Sequence, residues 1–104
     1  MSQTISQVKY FLLYILHAER KQAFKVLYYC VGEKECKALT EICANILHKS
    51  LNLEEVHIRR HKKILTQLSK VKVHCQSKEK YIKLKYKDIY TILHSIKNDL
   101  LELL

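Results

Sequence analysis

Gly32 is the only glycine in these 104 residues, and there is no proline at all. An average chain carries about seven glycines and five prolines per hundred residues. Folds built from paired strands need both at their tight turns, whereas helices joined by short polar loops need neither. The composition therefore points to an all-α fold. The length suits one domain, residues 1–104, with a single core, and apolar periodicity divides it into a compact bundle of five or six helices.

Thr4 or Ser6 can cap a first helix that runs to about His17, with Ile5, Val8, Leu12, Ile15 and Leu16 on one side. Phe11, Leu13 and Tyr14 extend the apolar surface around it. A domain this small cannot bury one helix on every side, which makes Phe11 and Tyr14 candidate contacts of a homodimer. A second helix is expected from about Arg20 to Val31, turning Ala23, Phe24, Val26, Leu27 and Cys30 inward and using Gly32 as a left-handed C-terminus. A third, Glu33 to Lys49, has Glu33 and Glu35 at its positive end and Cys36, Leu39, Ile42, Cys43, Ile46 and Leu47 on its inner arc. Cys36 and Cys43 read as small core residues.

Ser50 to Asn52 forms a polar break, with Ser50 or Asn52 capping a fourth helix. Its inner arc holds Leu53, Val56, Ile64, Leu65 and Leu68, with His57 and His61 among them, and Arg59, Lys62, Lys63 and Lys70 face the other way. Val71, Val73 and Cys75 alternate with polar residues, but a lone strand would have no partner. A loop is expected there, followed by a short helix opening near Ser77. Tyr86 to Leu104 is the most regular amphipathic stretch, with Ile89, Ile92, Leu93, Ile96, Leu100 and Leu103 on one face.

The net charge of +9 is concentrated in one half. Residues 1–56 hold seven Lys/Arg against six acids, residues 57–104 twelve against four, and the stretch 57–87 eleven against one. Such a lopsided field suits a polyanion. The candidate nucleic-acid-binding residues are Arg59, Arg60, Lys62, Lys63, Lys70, Lys72, Lys78, Lys80, Lys83, Lys85 and Lys87. Tyr81 and Tyr86, interleaved with them, can stack on unpaired bases. Lysine outnumbers arginine nine to two in this set. Lysine is a point charge with little base readout, so binding without sequence preference is expected. One rival is a protein-interaction module or homodimer whose basic face only keeps it soluble. Another is a helix-turn-helix regulator built on the Ser50 to Asn52 turn, but Glu54 and Glu55 would then meet phosphates at the start of the recognition helix.

Nothing in the chain marks an enzyme. The ten acids stand singly or in pairs near helix N-termini, and there is no Gly-rich phosphate loop, H-E-x-x-H or G-x-S-x-G. His57, His61, His74 and Cys75 are the one set with metal-ligand chemistry, yet their spacing fits no common zinc motif, and no metal or cofactor is expected. The four cysteines include no C-x-x-C pair, FLLYIL at 11–16 is too short to span a bilayer, and no signal peptide is evident. The expectation is an intracellular protein with reduced thiols and no transmembrane segment.

The order of segments from about Arg20 to Ile82 is a further feature, a diffuse pattern rather than a tight motif. A helix after a basic turn leads to ALTEICANIL with Glu41 and Asn45, then to a Leu-led helix carrying RRHKK, then to the start SKEKYI. This stretch, about three-fifths of the chain, resembles small basic helical proteins of Maverick/Polinton-type elements and adintoviruses. The resemblance implies a core or accessory structural protein that accompanies a packaged genome, with DNA ahead of RNA as its ligand and the host nucleus or the virion as its location. The chain departs from that pattern in two places. His48-Lys49-Ser50 stands where the group has a glycine, and a long amphipathic helix replaces a Gly-rich hydrophobic tail, which counts against a membrane role.

Overall fold

In a computed structural model describing residues 3–104, every regular element is helical. The helices are α1 (Gln3–Ser6), α2 (Lys9–His17), α3 (Arg20–Tyr29), α4 (Glu33–Leu47), α5 (Glu55–Arg60), α6 (Lys62–Leu68), α7 (Cys75–Leu84), α8 (Tyr86–Ser95) and α9 (Lys97–Leu103). The all-α class holds, but the count among the described residues is nine rather than five or six. The excess comes from short breaks at Gln7 and Val8, at His61 and at Ile96, while the break at Lys85 falls where the last stretch was expected to begin. Val8, His61, Lys85 and Ile96 each have φ between −107° and −116° and ψ between 15° and 25°. That conformation is open to any L-residue, so neither glycine nor proline is needed. Hydrogen bonds still span the breaks: His61 N–H donates to the His57 carbonyl and Leu65 N–H to that of His61, both at 3.0 Å. Before Ile96, the hydroxyls of Thr91 and Ser95 donate to the carbonyls of Lys87 and Thr91, and such back-bonds in succession bend a helix.

Helix α4 is the uninterrupted element, and α1, α6 and α7 pack on it, while α3 packs on α2, α7 and α8. One core joins these layers, with Leu12, Ile15, Leu27, Leu39, Ile42, Ile46, Leu65, Ile82 and Leu93 essentially sealed from solvent. Burying a side chain of this size contributes about 1.5–3 kcal/mol. The radius of gyration, 12.2 Å, is close to the ~13 Å of a compact chain of this length. Ile89, Ile92, Leu93, Ile96 and Leu100 all lie in the core, so the final run closes the bundle.

Several local expectations are corrected. Gly32 does not end the second helix, which stops at Tyr29. With φ −102° it stands before α4, and its N–H donates to Glu35 Oε1 at 2.8 Å. Cys30, expected inside, is exposed, as is Val56. The left-handed residue is Lys49, with φ 63°. It closes α4, while the N–H groups of Ser50 and Leu51 donate to the Asn45 carbonyl. Neither Ser50 nor Asn52 caps the next helix. Glu54 precedes it, and Asn52 N–H instead donates to Asp99 Oδ2 at 2.9 Å, tying this turn to α9. The expected loop is shorter than its pattern, because α7 already begins at Cys75.

Candidate nucleic-acid interface

Along α5 and α6 the core claims Ile64, Leu65, Leu68 and His61. Helical spacing then turns Arg59, Arg60, Lys62 and Lys63 to solvent. Lys70 and Lys72 are exposed in the following turn, Lys80, Lys83 and Lys87 are exposed on α7 and α8, and Lys85 is half-buried at the break between them. Among the described residues none of these ten groups lies within ion-pair distance of a carboxylate. The contrast within the molecule is Lys37, whose ammonium lies 3.2 Å from Glu33 one turn away on α4.

Lys78 does not belong with the others. It is 4% exposed, and its Nζ donates to Thr40 Oγ1 at 2.8 Å, while that hydroxyl donates to the Cys36 carbonyl at 3.0 Å. The reason is helical phase. Cys75, Lys78 and Ile82 lie three and four apart on the side of α7 that packs on α4. The signal was in the sequence, since Lys78 lies one turn before Ile82 in any helix that covers both.

The histidines also sort by burial. His61 is buried and His57 half-buried, and His61 Nε2 and His57 Nδ1 are sealed from solvent without hydrogen-bond partners. Burial pushes the His61 imidazole below its ordinary value, with Arg60 and His57 adding to that and Asp88 opposing it. His74 is exposed before α7, and the Cys75 carbonyl accepts a weak bond from Cys36 Sγ at 3.8 Å. Among the described residues no three His, Cys, Asp or Glu side chains converge as metal ligands.

Nor are the two interleaved tyrosines equivalent. Tyr81 is half-buried, its hydroxyl sealed without a partner, and burial followed by Asp88 raises its phenol above the usual value. Its ring is not free to stack. Tyr86 belongs to an aromatic cluster that the charge pattern does not announce. Phe24 sits edge-on to Tyr86 and Tyr90 at 5.2 and 5.1 Å, and Tyr28 edge-on to Tyr86 and Tyr29 at 5.7 and 4.7 Å. A cleft of about 270 Å³ opens here, lined by Phe24, Lys25, Tyr28, Tyr29 and Tyr86. The recoverable signal was Lys25, Tyr28 and Tyr29, spaced to share one face of α3.

The candidate dimer contacts divide as well. Phe11 is half-buried and packs against the core, whereas Tyr14 is 45% and Tyr10 82% exposed. No helix among the described residues is long and apolar enough to cross a membrane. Comparison with family models, with curated proteins and with solved structures returns no match to this chain.

Proposed function

We propose that this protein is a non-enzymatic nucleic-acid-binding protein that holds phosphates through a lysine-rich face and reads little sequence. The observation that carries the reading is the set of ten cations from α5 to α8, nine exposed and Lys85 half-buried, with no internal counter-ion among the described residues. A surface that repels itself costs stability unless an external anion relieves it, and phosphates do so with the release of their own counter-ions. Lys78 is excluded from the interface, because its ammonium is held against Thr40. Following the resemblance to proteins of virus-like DNA elements, the role is that of a core or accessory structural protein, with DNA the first ligand to test and the nucleus or virion its place.

The test is an electrophoretic shift titrated with salt. Unrelated duplexes of equal length should bind alike, with affinity falling about 10³- to 10⁵-fold between 50 and 200 mM salt if six to ten phosphates are engaged. Changing Arg59, Lys63 and Lys70 together to Glu should abolish the shift and leave the far-ultraviolet dichroism intact, whereas Lys37→Glu should do little. No binding at low salt would end the proposal. A second reading, a homodimer through the outer side of α2, draws on exposed Tyr10 and Tyr14 one turn apart. It predicts a dimer in sedimentation velocity that Tyr14→Asp dissociates.

A further inference from the structure

Tyr29 is 75% exposed beside Tyr28 at the C-terminal end of α3, so its ring adds little to the core. What distinguishes it from other exposed apolar residues is its company. Lys25 lines the same cleft, Lys83 Nζ sits 5.5 Å from the Tyr28 ring centroid, and Lys87 Nζ sits 5.9 Å from that of Tyr86. The rings attract these ammonium groups through their quadrupoles and so keep the charge at the rim. Glu79, one turn before Lys83 on α7, makes no ion pair with it. The cleft's volume, about 270 Å³, lies just under the ~300 Å³ lower bound of small-molecule pockets, which suits one planar ring rather than a folded ligand.

We infer that this cleft takes an unpaired base of a single-stranded nucleic acid, with Tyr29 as the stacking ring and Lys25, Lys83 and Lys87 on the flanking phosphates. This rests on the nucleic-acid reading above and sharpens its substrate class. Within a duplex each base face is already covered by its neighbours, so only an unpaired base can present one to tyrosine. Stacking accepts any base, because each has a π-face, while cations of this kind track the backbone. The protein therefore has two modes, a general one for phosphates on α5 to α8 and a strand-selective one at α3.

The experiment compares anisotropy of a labelled oligothymidylate and a blunt duplex of equal length, with wild type, Tyr29→Ala and Tyr29→Trp. Tyr29→Ala should weaken single-strand binding about 5- to 150-fold, the range for loss of one stacked base. It should leave duplex affinity within about twofold and the salt slope on either ligand unchanged, since no phosphate contact is lost. Tyr29→Trp should restore the single-strand affinity. Equal loss on both ligands, or none on the single strand, overturns the inference. Duplex binding by wild type without single-strand binding overturns it too, while the general phosphate reading stands. Failure of wild type to bind either ligand removes both.

Discussion

Helix α4 with its neighbours and the α5 to α8 face use charge in opposite ways. On α4, Glu33 pairs with Lys37, Glu35 accepts the N–H of Gly32, and the inner arc is sealed. From α5 to α8, nine exposed cations and the half-buried Lys85 have no carboxylate within ion-pair distance among the described residues. The first region satisfies its polar groups internally, as a folding element must. The second leaves its charge for something outside the molecule. Lys78 marks the boundary, since it comes from the basic run yet serves the α4 side.

The sharpest break of this contrast is Ile42→Ala, which should cost about 2–5 kcal/mol in chemical denaturation because it opens a cavity in the core. Lys63→Glu should leave the denaturation midpoint near wild type, and comparable losses from the two would dissolve the division. Next comes His61, which with His57 carries unsatisfied ring nitrogens inward from the basic face and is the more buried of the two. His61→Leu should raise stability, with about 1–3 kcal/mol as the scale for a buried unpaired polar atom. It should also alter the pH dependence. The folded imidazole is held below 6.5, so the unfolded chain takes the proton first. The neutral ring's contribution is thus fully present above about pH 6.5 and lost as pH falls towards the folded value. Melts between pH 7 and 5 should slope less in the variant, and an unchanged slope would remove His61 from this role.

Lys49→Gly should stabilise by about 1 kcal/mol, the cost of holding an L-residue at φ 63°. A lower melting temperature would show that the lysine side chain contributes more than its backbone costs. The smallest effect is chemical rather than energetic. Burial pushes the Cys43 thiol up to about 12, and burial, followed by hydrogen bonding to Cys75, does the same for Cys36. Both should stay unlabelled by a maleimide at neutral pH while exposed Cys30 reacts, because the thiolate is the nucleophile. Mass spectrometry after limited labelling reads the order directly.

The core was legible because periodicity reports burial. Leu12, Ile15, Leu39, Ile42, Leu65, Ile89 and Leu93 are all where helical spacing put them. The boundary at Lys85 was legible, since the most regular amphipathic stretch was expected to begin at Tyr86, but the other breaks were not, because the apolar pattern keeps step through them. Ile89, Ile92, Leu93, Ile96 and Leu100 form an unbroken series across Ile96, which is no helix breaker by type. At the candidate site, charge density identified the lysines but could not tell Lys78 from Lys80, since that requires the helical phase set by Ile82. The tyrosines of α3 lie far in sequence from the lysines of α7 and α8, and only packing brings Lys83 to Tyr28.

The interrupted run from Cys75 to Leu103 also sets the size of the molecule. As one straight α-helix its 29 residues would measure about 43 Å at 1.5 Å per residue, whereas the whole protein is 29 Å along its longest axis. A rod of that length would leave roughly a third of its apolar stripe beyond the reach of α2, α3 and α4. Broken at Lys85 and Ile96, the segment stays within that span, and a chain without proline gains its corners from packing and from hydroxyl back-bonds.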